Sequence, residues 1–509
     1  MNGMDSNAMG SNAPDSNVTD SLVIHYADNV GVAITPLRAG ERHQGVMLLA
    51  NIPAGHKFAL LDIAAGEQVI KYRAPIGHAT ADIAAGAWVH THNCKTNLSG
   101  VLEYVYQPQS AKLPPYQPAR SMFAGYPRPD GRVGIRNELW ILPTVGCVNG
   151  TARRLVQRAA AELGYLVPDG IHCFEHPHGC SQLGEDHRTT RDLLAALAAH
   201  PNAGGVLVLG LGCENNGIAE LRGAMGEVDE GRVKFLCTQD VEDEMEAGMA
   251  LLSELAVRVP AQPRTMEPLS KLVVGLKCGG SDGFSGITAN PLLGAVSDAL
   301  IACGGSTVLT EVPEMFGAET LLMSRCRNVR VFAKTVELIN GFKRYFQRYG
   351  QEIYENPSPG NKEGGITTLE EKSLGCTQKG GNGPVTDVLP YAGRVRKPGL
   401  NLMSGPGNDI CAVTALAAAG CQLILFTTGR GTPLGSPAPV IKVASNSELA
   451  RRKPGWIDFN AGPLVEGVPM ASLLEELLDK MVRTAEGEPT RSEENGYRDI
   501  AIFKDGVTL

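Results

Sequence analysis

From Ser21 to about Tyr106 the chain alternates short apolar and polar runs, SLVIHYA, GVMLLA, KFALLDI and EQVIKY, broken by Pro-Ala-Gly and Ala-Ala-Gly turns. Alternation of period two with such punctuation predicts a small β-rich module over residues 21–106. Residues 107–121, QPQSAKLPPYQPARS, are proline-rich and poor in apolar positions, and read as a linker. Beyond it the period changes. ELWILPTVGC runs into NGTARRLVQRAAAEL, GGVLVLGLGC into ENNGIAELRGAM, and KLVVGLKC into a loop followed by NPLLGAVSDALIACG. Apolar runs that each precede a stretch of helical spacing predict an α/β region of parallel sheets covered by helices. We divide it into a first part, 122–390, and a second, 391–509, with an alternative cut near residue 266. Residues 1–20 are polar and read as a disordered tail.

A chain of 509 residues exceeds one ordinary core, so two to four domains are expected. Hydrophobic residues make up 43% and charged residues 20%, yet no apolar run approaches the roughly 20 residues that cross a bilayer. A membrane-spanning protein is excluded on that ground. The net charge of -8 has no long basic run against it, which argues against nucleic acid and for a small-molecule substrate. The first twenty residues lack a secretory pattern, and the 12 cysteines form no close-set framework; both point to the reducing cytoplasm. Oligomeric state is not legible, and a homo-oligomer stays open.

Four strand candidates end alike: TVGC at Cys147, HPHGC at Cys180, GLGC at Cys213 and GLKC at Cys278. Ligands gather at the carboxyl ends of parallel strands, so these thiols are candidates to converge on one crevice. Any one of them reads equally well as a small buried hydrophobe. Four repeats favour chemistry; Cys376, in SLGCTQKGG, stays undecided. Around Cys180 lie Glu175, His176, His178, Glu185, Asp186 and His187; Glu214 follows Cys213, and Ser281 and Asp282 follow Cys278. Imidazole, carboxylate and thiolate together suit iron or zinc better than magnesium. The module adds His25, His56, Lys57 and an H-x-H pair, His90 and His92, placed on one strand face or on an ordinary polar edge. Neither a G-x-G-x-x-G after a strand nor a phosphate loop ending in G-K-[ST] occurs, so nucleotide binding is a weak reading. Glu311, Glu314, Lys362, Lys379, Asp409 and Arg430 put acids and cations on loops. Such a mixture suits a hydroxylated anion.

The strings TVGCVNG, HGCSQLG, NAGGVLVLGLGCENN, GLKCGGSDGFSGITANP, TEVPEMFGAE, YENPSPGNKEGGITTLEEKSLGCTQK and FTTGRGTP together resemble the sugar-acid dehydratases, a family that includes altronate and galactarate dehydratases. The resemblance runs from about residue 21 to the terminal IFKDGVTL. NELWILPTVGCVNG, CSQLGEDH, EVPEMFGAE and ITTLEEKSLGCTQK side with the altronate branch, while IHYADNV and IPAGHKFALLDI are similar to a SAF-type domain. The resemblance implies a hydro-lyase that converts D-altronate to 2-dehydro-3-deoxy-D-gluconate in hexuronate (galacturonate) catabolism, with ferrous iron as cofactor. On that footing the metal is expected on a subset of Cys147, His176, Cys180, Cys213 and Cys278. Base and acid are expected among His178, His187, Glu214, Asp282 and Glu311. Lys362, Lys379 and Arg430 are candidates to hold the carboxylate, with Ser281, His25, His56 and Lys57 as further substrate contacts. Alternatives are an iron-sulfur cluster on three of the strand-end cysteines, manganese in place of iron, galactarate as substrate, a nucleotide-linked oxidoreductase, and a sugar-acid binding protein without catalysis.

Overall fold

The computed structural model describes residues 20–109, 111, 113 and 115–509; the tail expected over 1–20 therefore lies almost wholly outside the described residues. The N-terminal module consists of very short antiparallel strands. One sheet joins Ser21–Leu22, Val30–Ala33, Lys57–Ala59 and Trp88–Val89; another joins Gln68–Lys71, Ala74–Ala79 and Cys94–Lys95. Val30, Ala59, Ile63, Val69, Ile76 and Val89 make a small core, which extends to Ala318 and Leu374 of the third domain.

A four-stranded parallel sheet follows, in the order Ile171–Cys173, Glu138–Pro143, Ala203–Gly210, Val233–Cys237. Every residue of Ala203–Gly210 is buried, which is why that strand reads as an unbroken apolar run. Helices Asn149–Leu163 and Glu244–Arg258 cover one face. A seven-stranded parallel sheet forms the third domain, in the order Val385–Leu389, Gly399–Met403, Ser306–Leu309, Val273–Cys278, Leu423–Thr428, Val440–Ala444, Phe459–Asn460. Its strands come from both sides of residue 390, and the four-stranded sheet is complete before residue 266.

Helices Ala289–Ala302, Val329–Arg348 and Met470–Ala485 bury their apolar stripes against the larger sheet. In Val329–Arg348 those positions are Val331, Phe332, Thr335, Leu338, Ile339 and Phe342, the three-and-four spacing of one helix face, and Asn328 caps the start by accepting from Val331 N–H at 3.0 Å. A shared core with Gly184–Ala198 and Asp409–Ala418 joins the two sheets. The amino ends of their strands are tied by His200 to Cys421 O (3.2 Å) and Asn202 Nδ2 to Gln422 O (2.9 Å). No helix among the described residues is long and apolar enough to cross a membrane.

Candidate functional site

Val273–Cys278 is a central strand of the larger sheet, and it carries Lys277 and Cys278 at its carboxyl end, both fully or almost fully buried. The next strand over, Ser306–Leu309, leads to Glu311, whose backbone has φ +68°, a left-handed conformation uncommon outside glycine. That bend starts the short 3-10 turn Val312–Met315 and brings Glu311 and Glu314 beside Cys278. A third element, helix Leu369–Thr377, is buried along its whole length and begins with Thr368 accepting from Glu371 N–H at 3.3 Å. Lys372 and Cys376 stand four residues apart, hence on one face. Gly286 and Gly375 touch where the helix crosses the loop after Cys278; a Cβ on Gly286 would lie 2.9 Å from Gly375 Cα. Only glycine allows that approach.

The three elements bring together Cys278, Glu314 and Cys376, whose donor atoms all lie within 4.8 Å of one another. Cys278 Sγ is 3.3 Å from Cys376 Sγ and 3.2 Å from Glu314 Oε2; Cys376 Sγ is likewise 3.2 Å from Glu314 Oε2. Lys379 Nζ donates to Cys278 Sγ at 2.6 Å and to Glu311 Oε2 at 2.9 Å. Lys277 pairs with Glu311, and with Asp409 Oδ1 at 2.8 Å. Lys372 pairs with Glu314 Oε1 at 2.9 Å and also donates to Asn356 and Asn361.

Burial makes each of these charges dependent on its partners. Desolvation alone would raise the Glu314 carboxyl, yet Lys372, Lys277 and Lys379 hold it below the usual carboxylate range. Against the same burial, Glu314 and the neighbouring thiols raise Lys372 to about 12, so it stays an ammonium. The Cys376 thiol is pushed well up by its hydrogen bond to Cys278 and by burial. Three ammoniums, Lys277, Lys372 and Lys379, thus face three carboxylates, Glu311, Glu314 and Asp409. Ionising both thiols leaves two negative charges over, which one divalent cation neutralises. Two thiolates and a carboxylate suit a borderline cation such as iron or zinc, and the observed spacing matches one ion with sulfur ligands at about 2.3 Å. The residues present fit a metal.

Glu314, Lys372 and Asp409 also line an open cleft of about 770 Å³, together with Gly279, Gly280, Asn356, Ser358, Asn361, Asn408 and Thr432. Helix Asp409–Ala418 begins on its wall, capped by Asn408 accepting from Cys411 N–H at 3.1 Å. Amides, hydroxyls, a cation and a helix N-terminus facing one cleft can hold a polyhydroxy carboxylate.

The four strand-end cysteines do not share this crevice. Cys278 is buried in it, whereas Cys147, Cys180 and Cys213 are exposed on the carboxyl edge of the four-stranded sheet. His176 has neither ring nitrogen to spare: Nδ1 accepts from His178 N–H at 3.2 Å, which leaves Nε2 to donate to Pro143 O at 2.8 Å. It holds loops together as a neutral ring, and burial lowers it to about 4. His178, also lowered by burial, and His187, bonded to Asn215 O at 3.1 Å, lie in that same second domain. So does Glu214, whose carboxylate accepts from Thr144 Oγ1 (2.6 Å) and the N–H groups of Leu211 and Gly212. Asp282 is fully engaged by Ser285, Ser445 and Asn446 and braces the loop after Cys278. Ser281 lies in the same loop with its hydroxyl buried and unpartnered among the described residues.

Glu311 and Lys379 sit against Cys278, as described. Lys362 lies in the short helix Pro359–Glu363, and Arg430 pairs with Glu363 at 2.8 Å. His25 Nδ1 accepts from Ala27 N–H at 3.1 Å, in a turn of the module. His90 and His92 follow strand Trp88–Val89 in a turn rather than alternating along a strand, and both rings pack on Trp88. His56 bonds Trp88 and Glu363 O, and Lys57 bonds Gly365 O at 2.8 Å and Glu371 Oε2 at 2.9 Å. With Lys71 at 2.7 Å from Glu371 Oε1, these residues dock the module onto the back of the helix that carries Lys372 and Cys376. Lys277 and Lys372 are absent from the residues picked out by sequence; Glu314 stands there only as a loop acid suited to a hydroxylated anion, and Cys376 as undecided. One signal was available: a lysine inside the apolar run VVGLKC must find a buried partner.

Comparison with known proteins bears on the same three domains. Family profiles match residues 19–97 (Altronate/galactarate dehydratase SAF domain), 125–259 (D-galactarate dehydratase/Altronate hydrolase, second domain) and 269–508 (D-galactarate/Altronate dehydratase, C-terminal). The chain belongs to the D-galactarate/altronate dehydratase family. Within this family it is 55% identical over 491 residues to the altronate dehydratase of Escherichia coli (strain K12), covering 96% of this chain and 99% of that one. It is 54% identical over 492 residues to the altronate dehydratase of Bacillus subtilis (strain 168), with the same coverage. The galactarate dehydratase (L-threo-forming) of Escherichia coli (strain K12) is 35% identical over 463 residues, 87% of this chain and 88% of that one. This dehydratase is thus an enzyme of the hydro-lyase class, with the SAF domain, second domain and C-terminal domain of its family.

Proposed function

We propose that this dehydratase converts D-altronate to 2-dehydro-3-deoxy-D-gluconate, a step of hexuronate catabolism in the cytoplasm, with ferrous iron held by Cys278, Glu314 and Cys376. The observation that carries the reading is the buried thiol-carboxylate-thiol trio at the wall of an open polar cleft. The higher identity to altronate dehydratases than to a galactarate dehydratase supports the substrate. Bound there, a divalent iron supplies Lewis-acid stabilisation of developing oxygen charge.

The chain's own groups then have distinct tasks. Lys372 and the N-terminus of Asp409–Ala418 hold the substrate carboxylate at the cleft wall. Asp409, whose side chain is 37% exposed and steadied by Lys277, takes the proton from carbon 2. It returns that proton to the hydroxyl leaving carbon 3, so that water departs and an enol remains. Ketonisation moves the enol proton to carbon 3 and completes the keto acid. Asn356, Ser358 and Asn361 meet the remaining hydroxyls. Protein prepared without oxygen and supplied with iron should form keto acid from altronate much faster than from galactarate, with no change in nicotinamide absorbance. Preference for galactarate would overturn the substrate, and binding without keto acid would overturn catalysis.

A further inference from the structure

The exposed cysteines of the second domain are held in a ring of loops. Gly146 N–H donates to His178 O at 2.9 Å, joining the loop of Cys147 to that of Cys180. Asn216 N–H donates to Gly179 O at 3.0 Å and Ser181 N–H to Asn215 Oδ1 at 3.1 Å, clamping the loop of Cys180 to that of Cys213 on both sides of the thiol. Thr144 Oγ1 to Glu214 Oε1 at 2.6 Å and Asn216 Nδ2 to Thr144 O at 3.0 Å close the ring. Each cysteine is therefore within three residues of a hydrogen bond to the loop of each other one. Gly179 has φ +103°, and a Cβ there would collide with Thr144 O, so glycine lets the loop of Cys180 lie directly against the strand end that leads to Cys147.

Burial sets these three apart. Cys147, Cys180 and Cys213 are exposed, while the other cysteines are buried or half-buried. Among the described residues two of these sulfurs have long polar contacts, 3.8 Å from Ser181 Oγ to Cys180 and 3.9 Å from Gln239 Nε2 to Cys213. One ion with metal-sulfur bonds of about 2.3 Å needs sulfurs within about 4.6 Å of one another. Among the described residues Cys278, Glu314 and Cys376 form the trio that meets such a limit, and the exposed thiols do not. A cluster spans a wider gap, because each thiolate binds a different iron.

We infer that Cys147, Cys180 and Cys213 hold a [4Fe–4S] cluster on the carboxyl edge of the four-stranded sheet, leaving its fourth iron open to an oxygen ligand. Each thiol releases its proton on binding, and the cluster enters already assembled, so the protein undergoes no redox change. This site is separate from the ion at Cys278 and does not depend on it. The test is iron and acid-labile sulfide per chain in full-length protein purified without oxygen. The wild type should carry about four sulfides per chain; Cys147→Ser, Cys180→Ser and Cys213→Ser should each lose most of them, and Cys278→Ser should keep them. Alkylation gives a readout independent of any variant's folding: the three exposed thiols should resist it until iron is chelated. Absence of sulfide in the wild type, or immediate alkylation of all three thiols, would overturn the cluster even if altronate is turned over.

Discussion

At Cys278 a strand ends in a thiol that is 1% exposed and hemmed in by Lys379, Glu314 and Cys376, whereas at Cys147, Cys180 and Cys213 the smaller sheet presents thiols to solvent. The local sequence is nearly the same at both edges, glycine and cysteine after an apolar run. What differs is the cover. Helix Leu369–Thr377 lies over the first edge, with the N-terminal module locked on it through Lys57, Lys71 and Glu371. With its thiols out of water, that edge balances its charges with lysines in the strand and the helix; the exposed edge is tied by hydrogen bonds between loops, with the Glu214 carboxylate among the acceptors. Burial, rather than motif, decides which chemistry a strand-end cysteine can support.

The contrast is broken most sharply at its two carboxylates. Glu314→Gln removes a proposed metal donor and should lower altronate turnover on the order of 10³-fold, by steady-state assay. Glu214→Gln alters only a brace between loops and should leave turnover within a few fold; an equal loss in both variants would erase the distinction. Next in size is the seal. Glu371→Leu strands two buried ammoniums and should cost about 3–5 kcal/mol of stability in denaturant titrations, and adding Lys71→Met should recover part of it.

The same carboxylate gives an acid signature. Burial opposes its ionisation, but Lys57 and Lys71 hold Glu371 down at about 2, against an ordinary 4.5. A folded-state value below the unfolded one contributes stability that is complete above pH 4.5 and lost as pH falls toward 2. Unfolding free energy measured against pH should therefore fall more steeply in that interval for the wild type than for Glu371→Leu. The smallest effect is expected at the helix crossing: Gly286→Ala should cost about 1–3 kcal/mol by forcing helix Leu369–Thr377 off the loop after Cys278. Thermal unfolding of that variant checks it.

The parallel sheets were legible because strands such as AGGVLVLG and LILFTT are buried on both faces and so read as continuous apolar runs. The site was legible only in part. Lys277 stands out as a charge in such a run, but its partner Glu311 is 34 positions away, across a helix and another strand. His176 looked like a ligand because sequence does not show that Pro143 O and His178 N–H use both its nitrogens. Cys376 gained a role only when Gly375 packed on Gly286 and turned its helix face toward Cys278. Likewise the polar residues of LEEKSLGCT carry no amphipathic signal, since the helix is buried on every side, by the module on one and the site on the other.

The most direct test of the account measures iron, acid-labile sulfide and altronate turnover in the same oxygen-free samples of wild type and Cys376→Ala. Cluster iron is matched by sulfide, so the ion at Cys278, Glu314 and Cys376 should show as about one iron per chain in excess. Cys376→Ala should lose that excess and the turnover together while its sulfide is unchanged. Retention of both excess iron and turnover in Cys376→Ala would contradict the assignment of the buried trio as the metal site of this dehydratase.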